Sequence, residues 1–225
     1  MPPPFVIAIT GSVSAGKTTF ARRLQSDLTD SRVEVVTTDG FLHPNRILEE
    51  RGLMRRKGFP ESYDMERLRR FASDLRAGIS PLHVPLYSHL HYDVIGEKVI
   101  DAPDVVIIEG LMSFAIESDF SIYIDAREDD LRTWFMRRFT QLRETAFRDP
   151  ESFFHRLATM PEAEAMAIAR DAWEQINLVN LREHILPLRE KATLVIAKDA
   201  NHVMTAPNSL PIPNVIAAAM SPKST

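Results

Sequence analysis

The sequence contains no cysteine, which excludes disulfides, thiolate nucleophiles and cysteine-based zinc sites together. No apolar run approaches the ~20 residues of a membrane-spanning helix. The start, MPPPFVIAIT, lacks the basic stretch that opens a secretory signal. Excess positive charge is missing too: 27 Lys and Arg against 31 Asp and Glu leave a formal net charge of −4, which argues against nucleic-acid binding. Seven histidines are present without an H-E-x-x-H or similar metal-cage spacing. There is no G-x-S-x-G nucleophile elbow, no N-K-x-D guanine signature and no L-S-G-G-Q transporter signature. The lack of cysteine fits a reducing cytoplasm without proving one, and neither a membrane nor a nucleic-acid partner is expected. The 225 residues read as a single domain, 1–225, large enough to bury a core without staples. Residues 206–225, with four prolines, read as an irregular tail.

What is present begins at residue 11. Gly11, Ser12, Val13, Ser14, Ala15, Gly16, Lys17 and Thr18 spell G-x-x-x-x-G-K-[ST], and Phe5–Thr10 before them is a short apolar strand pattern. From Thr19 to Leu28 the spacing is helical, with no Gly or Pro. Strand, loop and helix in that order let backbone N–H groups and a helix N-terminus cradle a polyphosphate. In such a loop the lysine reaches the β- and γ-phosphates and the hydroxyl ligates Mg²⁺. The site therefore comprises Gly11 to Thr19 and implies a nucleotide polyphosphate with Mg²⁺. A Gly-rich turn with a surface lysine is the bland alternative, and it leaves the register of all four motif residues unexplained.

Four further segments read as buried strands: Val33–Thr38, Asp104–Glu109, Ser121–Asp125 and Thr193–Ala197. Their alternation with helical material predicts an α/β fold, a five-stranded parallel sheet with helices on both faces. Asp64 to Ala77 reads as a helix capped by Asp64 and stopped by Gly78. Residues 79–98 read as an extended excursion. Glu128 to Phe147 and Pro161 to about Ile185 read as two longer helices.

Two carboxylates fall at strand ends, where open α/β sheets bind ligands. Asp39 follows the second strand and can bind Mg²⁺ or take the proton of an acceptor hydroxyl; an Asp-Gly turn is the plainer alternative. Glu109 ends the third strand and suits the second metal-holding carboxylate of phosphate-loop enzymes. In the Glu128 helix an apolar stripe runs through Leu131, Phe135, Phe139, Leu142 and Ala146, with Arg138 at its edge. Arg138 either neutralises a transferred phosphoryl group or pairs with a buried carboxylate. The run Arg51, Arg55, Arg56 and Lys57 reads as a solvated face.

Beyond the loop, TTDGFLHPN (37–45), ERGLMRRKGFPESYD (50–64), PLYSHLHYDV (85–94), DPESFF (149–154) and the stretch 174–202 resemble bacterial type I pantothenate kinase, in order and over nearly the whole chain. The resemblance implies a phosphate-loop kinase fold, a cytoplasmic homodimer, and ATP-dependent phosphorylation of the terminal hydroxyl of pantothenate, the opening step of coenzyme A synthesis. By position it makes Lys17, Asp39 (the base) and Arg138 catalytic. It places Tyr87, His89, Phe135 and Asn177 around pantothenate and His202 near the adenine. Arg22 and His89 match positions that meet coenzyme A as a feedback inhibitor.

Three departures accompany it. The first strand begins at residue 5, where the family carries an N-terminal segment, so the chain reads as a compact variant. The connection from Gly110 to Phe120 is short. Phe135 replaces a tyrosine that hydrogen-bonds substrate, and Leu142 replaces a phenylalanine. These leave open another alcohol acceptor on the same fold, or a regulator that binds nucleotide or coenzyme A without turnover.

Overall fold

A computed structural model describes residues 2–206; all but the first residue of the 206–225 tail lies outside that range. In chain order the strands and helices are β1 (Phe5–Gly11), α1 (Lys17–Asp27), β2 (Val33–Thr37), α2 (Asn45–Glu50), α3 (Met65–Arg76), β3 (Leu82–Ser88), β4 (Asp93–Ile100), β5 (Val105–Glu109), β6 (Phe120–Asp125), α4 (Glu128–Glu144), α5 (His155–Thr159), α6 (Glu162–Ala172), β7 (Leu194–Lys198) and β8 (Met204–Thr205).

The main sheet has six strands, not five, in the order β2-β5-β1-β6-β7-β8. Five are parallel. The sixth, the two-residue β8, runs antiparallel along β7, too short for a pattern of alternation to reveal it. The excursion at 79–98 is a second correction: β3 and β4 pair antiparallel, with an irregularity between Leu86 and Tyr87. Pro81 and Pro85 interrupt the pattern that would signal a strand, and Pro85 is tolerated because a two-stranded ribbon leaves one edge unpaired.

The apolar run of β5 is buried on both faces. Val105 and Ile107, with Ile7 and Ile9 of β1, meet Phe20, Ala21 and Leu24 of α1, Leu131 and Trp134 of α4, and Trp173. Val106 and Ile108, with Val6 and Val36, meet Leu68, Phe71 and Leu75 of α3 and the inner face of the hairpin, Leu82, Val84 and Ile100. Period-two alternation thus splits one continuous apolar strand between two cores, as parallel sheets require.

Asp64 caps α3 by accepting from the backbone N–H of Arg67 at 2.9 Å. The α4 stripe differs from expectation. The helix ends at Glu144, Ala146 lies beyond it exposed, and Trp134 takes a buried place beside Leu131 and Phe139. After α6 the chain continues through two π-turns, Trp173–Asn177 and Leu181–Ile185. Such turns rotate side chains out of the α-helical register and recur at functional positions.

Gly40 marks a contact that positions the hairpin. A Cβ there would stand 2.4 Å from the carbonyl oxygen of Pro85 in β3. Gly40→Ala is therefore expected to destabilise the fold by about 1–3 kcal/mol through overpacking. Gly96→Ala, in open space on β4, should stay within about 0.5 kcal/mol. Denaturant midpoints compare the two, and an equal response would contradict the close approach.

Candidate active site

Parallel register brings the functional groups to one edge. Glu109 lies level with Ile9 of β1 and with Thr37 of β2. The phosphate loop leaves β1 two residues past Ile9, and the Asp39 turn leaves β2 directly. Gly11 has φ +146 and a Cβ there would meet the carbonyl oxygen of Ile124 at 2.6 Å; Gly16 has φ +95. Both positions need glycine.

The loop is built as an anion cradle. Helix α1 starts at Lys17 with no side-chain cap, so its first N–H groups remain available. Thr10 Oγ1, Ser12 Oγ and Ser14 Oγ are buried without a hydrogen-bond partner among the described residues. Polar atoms are rarely left so unless a ligand completes them. Lys17 Nζ donates to the carbonyls of Gly11 at 3.0 Å and Ser12 at 2.8 Å. Burial lowers its pKa, against the charges of Glu109 and Asp39, which raise it.

Thr18 Oγ1 donates to Glu109 Oε1 at 2.8 Å. Burial raises the pKa of Glu109, while Lys17 and the bond from Thr18 pull it down. One hydroxyl and one carboxylate beside a phosphate cradle fit a hard oxygen-seeking cation such as Mg²⁺. No cluster of three or more His, Cys, Asp or Glu capable of holding a metal occurs among the described residues. A cation here would take its remaining ligands from phosphate and water.

Asp39 lies on a 3₁₀ turn, Thr38–Phe41, with its N–H held by Thr37 Oγ1 at 3.4 Å. The charge of Asp39 acts on Lys17, Glu109, His89 and Lys57 alike, which puts it between the phosphate loop and the hairpin. Arg138 is exposed on α4, and its charge reaches both Lys17 and His89. Among the described residues no carboxylate stands within ion-pair distance of it, unlike its helix neighbour Arg132, which reaches Glu174 at 3.6 Å. The pairing alternative for Arg138 thus gains no support.

Tyr87 and His89 sit edge to face at 5.2 Å near the hairpin tip. Phe135 is half-buried with its ring 5.6 Å from that of Trp173, so it belongs to the apolar stripe. Asn177 lies in the first π-turn and donates to the carbonyl of Ala172 at 3.0 Å. His202 stacks on Trp134 at 4.5 Å. Lys198 lies 4.4 Å from the same ring and donates to the carbonyl of Ala15 in the loop at 2.8 Å. Arg22 is exposed on α1, and among the described residues no hydrogen bond or ion pair joins it to the hairpin.

Sequence reasoning passed over Trp134, Lys198 and, most clearly, Lys57. Arg55 and Arg56 do pair at the surface, with Asp171 and Glu61, as a solvated face requires. Lys57 does not: it is 7% exposed and enclosed beneath the hairpin. The only signal in the sequence was its place directly before the Gly58 and Phe59 of a loop that turns inward.

Comparison with known proteins agrees with this geometry. The profile of the Phosphoribulokinase / Uridine kinase family matches residues 6–148. Pantothenate kinases of Escherichia fergusonii and Shigella boydii are each 49% identical over 222 residues, which take in 89% of this chain and 70% of the relative. Among solved structures, a putative fructose transport system kinase from Silicibacter sp. TM1040 superposes with a TM-score of 0.64 at 26% identity, over 81% of this chain and 84% of that one. The phosphoribulokinase of Rhodobacter spheroides, at TM-score 0.55 and 15% identity over 88% and 71%, shares the fold.

Glu109 carries a prediction whose sign follows from its raised pKa. The native state binds this proton more tightly than the unfolded chain does. The group's contribution to stability is therefore present at acid pH and lost as pH rises through the folded pKa. Glu109→Gln should melt above the parent at pH 7–8, and the two should converge in acid. Cation-dependent nucleotide turnover should fall at least ~10²-fold. Melting curves across pH test the first part, and a variant less stable than the parent at pH 8 would contradict it.

Proposed function

The chain belongs to the Phosphoribulokinase / Uridine kinase family and to the pantothenate kinases, and from that premise we propose that it transfers the γ-phosphoryl group of ATP to the terminal hydroxyl of pantothenate. The observation that carries the reading is the gathering of Lys17, Glu109 and Asp39 at the level ends of β1, β5 and β2. A phosphate cradle, a cation-holding carboxylate and a second, separate carboxylate are the parts that phosphoryl transfer to an alcohol needs.

In this mechanism Asp39 orients the acceptor hydroxyl and takes its proton as the oxygen attacks phosphorus. Lys17 leaves its loop carbonyls for the β- and γ-phosphate oxygens and stabilises the charge on the group in transit. Arg138 closes over the same group from α4. Thr18 and Glu109 would hold Mg²⁺, which supplies charge neutralisation across the bridging phosphates when bound. Catalysis is then positioning and electrostatics. Tyr87, His89, Phe135 and Asn177 enclose the acceptor, and His202 with Trp134 and Lys198 forms the base-binding end.

Family resemblance further supports one kinase domain over the chain, a homodimer in the cytoplasm, and inhibition by coenzyme A through Arg22 and His89. No helix of the described residues is long and apolar enough to cross a membrane.

The direct test measures ATP consumption with pantothenate, pantetheine, uridine and ribulose 5-phosphate. Pantothenate should be the preferred acceptor. Asp39→Asn keeps the side-chain shape and removes the base, so kcat should drop by roughly 10²–10⁴ with ATP binding retained. A collapse of ATP affinity at unchanged kcat would instead make Asp39 a metal ligand.

Phe135 gives a second test. Restoring the family's tyrosine adds a hydrogen bond to a charged substrate, worth about 1.5–3 kcal/mol or roughly ten- to a hundredfold in affinity. Phe135→Tyr should lower KM for pantothenate by up to that factor. A weaker enzyme would show that contact with Trp173 fixes the ring as an apolar wall.

A further inference from the structure

Under the hairpin tip lies a cation that the transfer steps leave unused. Lys57 Nζ donates to Asn45 Oδ1 at 2.6 Å and to the main-chain carbonyl of Tyr92. It stands 4.0 Å from the Tyr92 ring centroid and 5.2 Å from that of Tyr87. A lysine is seldom this buried; here an amide oxygen, a carbonyl and π faces replace its water.

The groups it joins belong to three segments. Asn45 opens α2, a few residues beyond the Asp39 turn, and its N–H donates to Asp93 Oδ1 at 2.9 Å. Tyr92 and Asp93 form the return of the hairpin. Tyr92 is held at φ +53, a conformation that a bulky residue keeps only when its surroundings impose it. Its ring packs on Phe153 at 5.1 Å and Phe154 at 4.9 Å, and the N–H of Phe153 donates to the carbonyl of Leu90 at 2.9 Å. Tyr87 and His89 ride on this same tip.

Resting on the acceptor assignment made above, we propose that Lys57 is a positioning residue for the acceptor: its buried ammonium fastens the Tyr87–His89 wall to the segment that follows Asp39, and so sets acceptor affinity without taking part in phosphoryl transfer.

The charge matters as well as the shape. Burial pulls Lys57 down to about 8, opposed by Asp93 from the hairpin and Asp39 from its turn. The other titratable groups facing it are the hydroxyls of Tyr92, pushed up to about 12, and Tyr87, pushed higher still. On its own segment Arg55 and Arg56 point outward to their surface partners. Neither tyrosine ionises in the range where Lys57 does, and pantothenate keeps its carboxylate ionised throughout. Lys17, also lowered by burial, holds phosphate, so its titration falls on kcat and on ATP.

The experiment is steady-state kinetics from pH 6.5 to 9.5, with each substrate varied at saturation of the other. In the parent, KM for pantothenate should climb above pH 8, approaching tenfold per unit, while KM for ATP does not follow it. Lys57→Met should raise KM for pantothenate about tenfold or more at pH 7 and abolish the alkaline climb, with kcat within about threefold. Lys57→Arg keeps its charge through this range and should give a flat alkaline limb with KM partly restored. Hydrogen exchange at residues 88–93 gives a readout free of turnover, and Lys57→Met should lose protection there.

A parent whose KM for pantothenate is flat to pH 9.5 overturns the proposal even if no variant folds. So does a Lys57→Met enzyme that loses kcat at unchanged KM, since the lysine would then touch the transferring group. No turnover of pantothenate at pH 7 sinks the acceptor assignment alone. The same pH profile, run with whichever alcohol of the screen is phosphorylated, then decides on Lys57.

Discussion

The site depends on burying opposite charges at one level of one sheet. Lys17 and Glu109 are each pushed toward neutrality by lost water, and each is held charged by the other. The parallel register that sets Glu109 beside Ile9 and Thr37 is therefore the constraint from which the rest follows. It fixes where the phosphate loop leaves β1, where the Asp39 turn leaves β2, and how far Asp39 stands from Glu109.

That arrangement is expensive, and the sheet offsets it. The loop and the end of β1 keep α1 without a side-chain cap and three hydroxyls without partners among the described residues, which are groups a folded chain otherwise satisfies. The cost falls at the end of strands whose remaining residues are wholly buried in two separate cores. Each fully buried Val or Ile contributes roughly 1.5–3 kcal/mol, so a few of them outweigh an unfilled cradle. The apolar continuity of β1 and β5 and the polarity at their ends are two parts of one design. In the proposed function a triphosphate completes the hydrogen bonds that the fold leaves open.

The strand-end positions were legible because their signals are local. Gly11 to Thr18 announce themselves by spacing, and Asp39 and Glu109 by standing at the end of apolar runs. The resemblance to pantothenate kinases then gave Tyr87, His89 and Asn177 roles that spacing alone could not assign. What escaped reading is long-range. Lys57 looks like the last member of a surface charge run until the hairpin folds over it, more than thirty residues later in the chain. Trp134 was displaced from the stripe because helical spacing admits either 134 or 135 as the inward position, and only packing against α1 and Trp173 decides. The hairpin was hidden by its prolines and β8 by its length. The 3.6-residue rule could not foresee that the helix after α6 widens into π-turns, which take Asn177 off the α-helical register.

The two halves of the site are consequently held by different physics. Register and buried charge fix the strand-end groups, whereas the hairpin tip hangs on aromatic contacts among Tyr87, Tyr92, Phe153 and Phe154 and on one buried ammonium. Arg138 bridges them in a third manner. Its helix is anchored by Leu131, Trp134 and Phe139, yet the guanidinium itself is exposed, with no carboxylate in ion-pair distance among the described residues. An arginine already committed to an ion pair would have to break it before meeting a phosphoryl group. One left hydrated surrenders only water, and does so when the incoming charge repays that loss. Leaving Arg138 exposed while burial weighs on Lys17 and Glu109 thus separates two groups fixed by the sheet from a hydrated one that the proposed transfer would recruit.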